Sequence, residues 1–449
     1  MKGSRKKDEM VNMIERALNP GAFISYKQGW DFILDLGRTK DRLDTLASDD
    51  PERAVELYEL FLSGCYDKAE EIDDSSGGLG NFFQELFLGW VKTRRQAKCD
   101  AQETVKQILA WIENDNYGFM YEIEQHVAVV LAKPEYRLFV QHFEIQCHNA
   151  CHQLEKKDLL PIYKYPNAFR LPAMTLREIY SAKKDARSYL KLLEHYTCSP
   201  KDSLNLANIF YMKKKYAEAL DWVQKGLALE KQGNWANETA WGLKDLQQKL
   251  LNKVGRTQDA LQAAWDEFYE QPSDYSYENF MTYVPASERK AWHAKAMTTA
   301  AKGDLYGFIQ LCVKTKEWQQ LAKRVASLDH PELESLSHFV MEGAAKGLER
   351  QFKPQAAKVY RALGMRIVNR GKSKYYMYAL EHLCKARQCY SKSGLQKEWD
   401  TLVNFIREHH SRKYSFIGEF ESIVSGAKPG KSETFEAKAK QRWKKLTTA

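Results

Sequence analysis

The chain has 449 residues, 44% of them hydrophobic and 28% charged, with a formal net charge of +9. That balance excludes a disordered chain, and no apolar run approaches the ~18–20 residues that a membrane-crossing helix needs. Eight cysteines, at 65, 99, 147, 151, 198, 312, 384 and 389, lie scattered through the sequence. They read as reduced thiols of a cytoplasmic protein rather than as a disulfide framework.

Residues 1–21 form a basic arm and helix. Met10, Met13, Ile14, Ala17 and Leu18 share one face, without the continuous apolar core of a secretory signal. Residues 22–153 read as a first helical-repeat block. Ile33, Leu36, Leu43 and Leu46 fit one helix, and Ala54, Leu57, Tyr58, Phe61, Leu62 and Cys65 the next. Asp50-Pro51-Glu52 starts that second helix: an acidic cap, a proline in the first turn, then an acid against the positive helix end. The run Glu71–Gly78 looks superficially like a calcium loop, but its closing position falls on Phe82 or Phe83, so a helix–helix turn is expected.

Residues 154–285 hold the clearest repeat. In Ser203–Leu229, Leu206, Ala207 and Phe210 mark one helix, and Tyr216, Ala219, Val223, Gly226 and Leu227 the second. Small residues at 207, 219 and 226 let the two helices approach closely while the large ones fill the gaps. Such a unit cannot bury its apolar face alone, so it implies stacked neighbours. A second unit is expected at Leu243–Phe268, turning at Gly255. Residues 286–424 form a third block, where Tyr376, Ala379, Leu383 and Ala386 reproduce the spacing of Tyr216, Ala219, Val223 and Gly226. Residues 425–449 are a basic tail; from Arg407 onward ten Lys or Arg face five Glu, which supplies +5 of the net charge. The expected fold is therefore all-α, a tetratricopeptide-like α-solenoid of stacked helical hairpins with at least eighteen helices.

Three stretches carry a resemblance: Glu70–Leu86, Ala263–Phe280 and Tyr375–Glu421. They resemble a family of bacterial tetratricopeptide-like proteins, some of which carry an N-terminal SWIM zinc finger. The resemblance implies a packing scaffold. The finger itself needs Cys-x-Cys followed by Cys-x-His, and no Cys-x-Cys occurs in this sequence.

No G-x-S-x-G, G-x-x-x-x-G-K-[ST] or H-E-x-x-H motif is present, so no enzymatic activity and no cofactor are expected. Cys147, Cys151 and His152, with His148 and His142, have metal-like helical spacing. A core-facing cysteine pair with solvent-facing histidines accounts for them better, and no metal site is assigned. Glu408-His409-His410 reads as exposed helix surface. In a tetratricopeptide unit the first helix lines the binding groove, which points to Lys201, Asn208 and Tyr211 as the protein-binding residues. The expected function is a non-catalytic adaptor or scaffold. The alternatives are a nucleic-acid accessory role through Lys438, Lys440, Arg442, Lys444 and Lys445, or a regulatory subunit of a larger enzyme complex.

Overall fold

Local sequence dictates most of the helix starts. Asp50, Asp100, Asp185, Ser199, Asp304 and Asp329 each accept a hydrogen bond from a backbone N–H of the turn they precede. In the computed structural model, which describes residues 9–153, 159–232 and 239–426, these caps open helices joined by short turns. Twenty-three α-helices and no β-strand form among the described residues. Backbone pairing across segments is limited to two isolated bridges, Ile24 with Ile72 and Pro161 with Thr197.

The chain divides into two compact units at Val254/Gly255. The first contains α1 (Glu9–Leu18), α2 (Tyr26–Asp49), α3 (Pro51–Asp67), α4 (Gly78–Gln96), α5 (Ala101–Glu113) and α6 (Ile123–Val130). It continues with α7 (Lys133–Gln153), α8 (Asn167–Ala182), α9 (Ala186–Leu192), α10 (Pro200–Met212), α11 (Tyr216–Lys231) and α12 (Ala240–Lys253). Helices α1 to α4 and α7 to α12 pack each on the next in sequence, and alternate helices such as α2 with α4, α5 with α7, α6 with α8 and α10 with α12 also touch. That order of contacts is what stacking of helical pairs produces.

The α10–α11 hairpin shows why small residues sit at 207, 219 and 226. Ala207 and Ala219 are fully buried. A methyl group added at Gly226 would lie 2.8 Å from Leu243 and 3.0 Å from Ser203, so only glycine allows three helices to meet there. The Glu71–Gly78 segment is a helix–helix turn: the Asp74 carboxylate accepts from the N–H groups of Leu79 at 2.8 Å and Gly80 at 3.1 Å, which caps α4.

The second unit contains α13 (Thr257–Glu270), α14 (Asp274–Tyr283), α15 (Arg289–Ala300), α16 (Leu305–Thr315), α17 (Trp318–Ser327) and α18 (His330–Ser335). Then follow α19 (His338–Leu348), α20 (Lys353–Arg370), α21 (Tyr376–Lys392), α22 (Gln396–His410) and α23 (Tyr414–Val424). Ala379, Leu383 and Ala386 are fully buried against α20, and a methyl at Gly364 would stand 2.7 Å from Leu383. The unit expected at Leu243–Phe268 is divided: α12 belongs to the first compact unit and α13 to the second.

One surface expectation needs correction. His409 is exposed and stacks on Phe405 at 4.4 Å, but His410 turns inward. Both its ring nitrogens are buried without a hydrogen-bond partner. Burial, then Lys413 and His409, push its pKa down, so the imidazole stays neutral where it cannot be solvated.

Candidate protein-binding face

The start of α10 is fixed by a buried polar network. Ser199 and Asp202 form a reciprocal capping box: the Ser199 hydroxyl accepts from the Asp202 N–H at 3.2 Å, and Asp202 accepts from the Ser199 N–H at 2.9 Å. Pro200 fills the first helical position, where its missing N–H costs nothing. Asp202 is completely buried, and its other oxygen accepts from the hydroxyls of Tyr189 at 2.9 Å and Tyr196 at 3.0 Å. Arg177 on α8 stands 4.0 Å away and supplies the countercharge. Asn205 donates to the Tyr189 hydroxyl at 3.2 Å. Burial, reinforced by the Asp202 charge, holds both phenols well above the ordinary tyrosine value, so both remain donors.

This network sets the azimuth of α10 and thereby what the helix shows to solvent. Lys201, Asn208 and Tyr211 fall within ~80° of one another on the helix. Lys201 is exposed and reaches Glu178 of α8 at 4.0 Å. Asn208 is exposed, while Tyr211 is half-buried with its ring 5.7 Å from Tyr216 of α11. The three expected residues thus share one side of one helix, tied to different neighbours at its two ends.

Sequence reasoning missed the apolar part of this face. Leu171 and Met174 precede Glu178 at i, i+3 and i+7 on α8, and both are exposed. Met212 at the end of α10 and Trp241 at the start of α12 are exposed as well. A methyl at Gly242 would meet Leu204 at 2.9 Å, so the start of α12, which carries Trp241, packs on α10. Exposed methionine, leucine and tryptophan around a few polar groups match the make-up of protein-binding surfaces. The signal was available in the sequence as LPAM with its unpatterned Leu171, but helical periodicity assigns such positions to solvent without saying what covers them.

Cys147 is buried on α7, and burial pushes its thiol up to about 12. Cys151, one turn on, has its sulfur 3.9 Å from His195 Nδ1, and burial raises its pKa too. Burial of this kind keeps a thiol unreactive. No group of three or more candidate ligands is placed to hold a metal ion among the described residues; the His152 side chain lies outside them. So do Lys438, Lys440, Arg442, Lys444 and Lys445.

The second unit holds one polar constellation that the sequence concealed. Tyr277 of α14, His293 of α15 and Glu317 before α17 form a chain: phenol to Nδ1 at 2.8 Å and Nε2 to carboxylate at 3.1 Å. Gln320 donates to the other Glu317 oxygen at 3.1 Å. A cleft of about 530 Å³ in the same unit is lined by Tyr269, Ser273, Lys302, Asp304, Tyr306 and Gln310 among others, and by none of those three residues. The constellation therefore stitches three segments together and does not line that cleft.

The fold and this face define an all-α protein of successive helical hairpins. The chain belongs to the family described as "Family of unknown function (DUF6880)", whose model matches residues 9–419. No curated protein matches the chain. Among solved structures, one described as "Structure of Naa15/Naa10 bound to HypK-THB" is similar at 12% identity and a TM-score of 0.33, covering 86% of this chain and 67% of that one. No helix among the described residues is long and apolar enough to cross a membrane.

Proposed function

We propose that this chain is a non-catalytic adaptor that binds a segment of a protein partner along the face built by α8, α10 and the start of α12. The observation that carries the proposal is the exposure of Leu171, Met174, Met212 and Trp241 around Lys201, Asn208 and Tyr211, on helices held by a buried, fully paired carboxylate. Apolar anchors supply affinity when water is expelled, and the asparagine amide and lysine ammonium fix the register of a bound backbone. Protonated, buried thiols and a Tyr–His–Glu chain away from the unit's large cleft favour binding over chemistry.

A second reading rests on the charge excess from Arg407 onward, which would serve a nucleic-acid partner. The test is affinity capture of the tagged chain from its native cells, with and without nuclease, at low and high salt. The adaptor reading requires a discrete protein that survives both treatments. Partners that vanish with nuclease or salt transfer the role to the basic tail, because each neutralised phosphate makes binding steeply salt-dependent.

A further inference from the structure

Helix α2 buries only one side. Phe32, Leu36, Thr39, Leu43 and Ala47 face the core of the first unit. On another side lie Tyr26, Trp30 and Leu34, spaced i, i+4 and i+8, with Phe23 just ahead of the helix. Their exposures are 59%, 79%, 47% and 61%, respectively. The three helical residues span ~80° of azimuth and ~12 Å of axis. Together the four leave roughly 500 Å² of apolar side chain in water, near the upper end of what a monomer's largest patch shows.

One edge of this stripe is charged. Lys27, Arg38, Asp31 and Asp35, all exposed, follow in that angular order around the helix. The stripe is symmetric about Trp30, with Tyr26 four residues before it and Leu34 four residues after. We propose that α2 pairs with α2 of a second copy of this chain, antiparallel, about a two-fold axis at Trp30. Such an axis sets Trp30 against Trp30 and Tyr26 against Leu34, twice. It also sets like edge against like edge, with the direction reversed. Lys27 then comes opposite Asp31 and Asp35 of the other copy, and the same contacts recur by symmetry.

The neighbouring cavity fits the same arrangement. A pocket of about 320 Å³ is lined by Arg16, Phe23, Gln28, Asp31, Phe32 and Asp35 among others. In the antiparallel register, Arg38 of the second copy arrives opposite residues 22–24, at the mouth of a pocket holding two carboxylates and one guanidinium. Within one copy Arg38 pairs with Asp35 at 2.7 Å, but both side chains are more than half exposed. A pair of that kind is worth little and is readily exchanged. Roughly 500 Å² from each copy reaches only the low end of specific interfaces, the range of weak and transient pairs.

Sedimentation equilibrium of the full chain tests this over a range of about 1–300 µM. The expected result is a monomer–dimer equilibrium that Trp30→Glu weakens by about thirtyfold or more; the variant keeps its melting temperature because Trp30 supports no core contact. A charge exchange tests the register. Lys27→Asp alone and Asp35→Lys alone each weaken self-association, whereas the two variants mixed associate better than either alone, since one of the two symmetry-related contacts is then as in the wild type and in the other the exchanged charges at 27 and 35 attract. A monomer throughout the range, a dimer indifferent to Trp30→Glu, or a mixture that fails to associate better than its components would overturn the proposal.

Discussion

Replacing Asp202 by alanine removes the group on which the candidate face depends. The carboxylate accepts from two phenols, from the Ser199 N–H and from the Ser199 hydroxyl, and it balances Arg177. Alanine leaves those donors buried and unpaired and strips Arg177 of a counterion. A hydrogen bond to a charged group is worth about 1.5–3 kcal/mol, and breaking a buried pair on one side costs about 3–5 kcal/mol. These overlap rather than add, so the expected loss is about 4 kcal/mol, a large share of the ~5–15 kcal/mol available to a domain. Tyr196→Phe deletes one donor, keeps the ring, and should cost only about 1 kcal/mol. Urea unfolding measures the totals. Amide exchange places the loss, because α8, α9 and the first turns of α10 should lose protection while α20 and α21 keep theirs. A cost below about 1 kcal/mol for Asp202→Ala, or protection lost equally in both units, would refute the claim that this network fixes α10.

Further outcomes follow from the packing and the charges. Gly307→Ala should destabilise the second unit by about 1–3 kcal/mol, because the new methyl would stand 2.4 Å from the Pro272 carbonyl oxygen, which is backbone. Gly418→Ala, in the middle of α23 with nothing within 4 Å, should instead stabilise by about 0.5–1 kcal/mol, and thermal melts of the pair measure both signs. His382 is half-buried, with its side chain 14% exposed. Burial is the largest influence on it, opposed by Glu342 and aided by Lys385, and the pKa falls from 6.5 to about 4. The folded protein therefore binds fewer protons than the unfolded chain between those values. Stability is complete above pH 6.5 and falls as pH drops towards 4, by up to about 3 kcal/mol from this group. His382→Gln should flatten that part of the stability–pH curve.

Helical class, hairpin order and the tight contacts were legible because each has a local signature. Ala219, Gly226, Ala379 and Ala386 announce close helix approach by being small at positions where a helix face is otherwise large. The capping residues Asp50, Asp100 and Ser199 mark helix starts by their own side-chain chemistry. The division at Val254/Gly255 was not legible, since α12 and α13 carry a periodicity that suits one hairpin, and periodicity does not say which core each helix joins. Lys201, Asn208 and Tyr211 could be placed on one side of α10 by counting residues. Leu171, Met174 and Trp241 could not be added, because nearness across helices is a tertiary fact. The same limit hid Tyr277, His293 and Glu317, which lie 16 and 24 residues apart. His410 was misread because a helix end rich in polar residues reads as solvated, whereas the fold turns this ring inward.

The most direct test of the adaptor account is the affinity of the captured protein for the purified wild-type chain and for a variant carrying Leu171→Glu, Asn208→Ala and Tyr211→Ala. The account predicts salt-tolerant binding by the wild type. It predicts a loss of at least about thirtyfold in the variant, with helicity and melting temperature retained. Equal binding by the two proteins would contradict the assignment of the partner to this face.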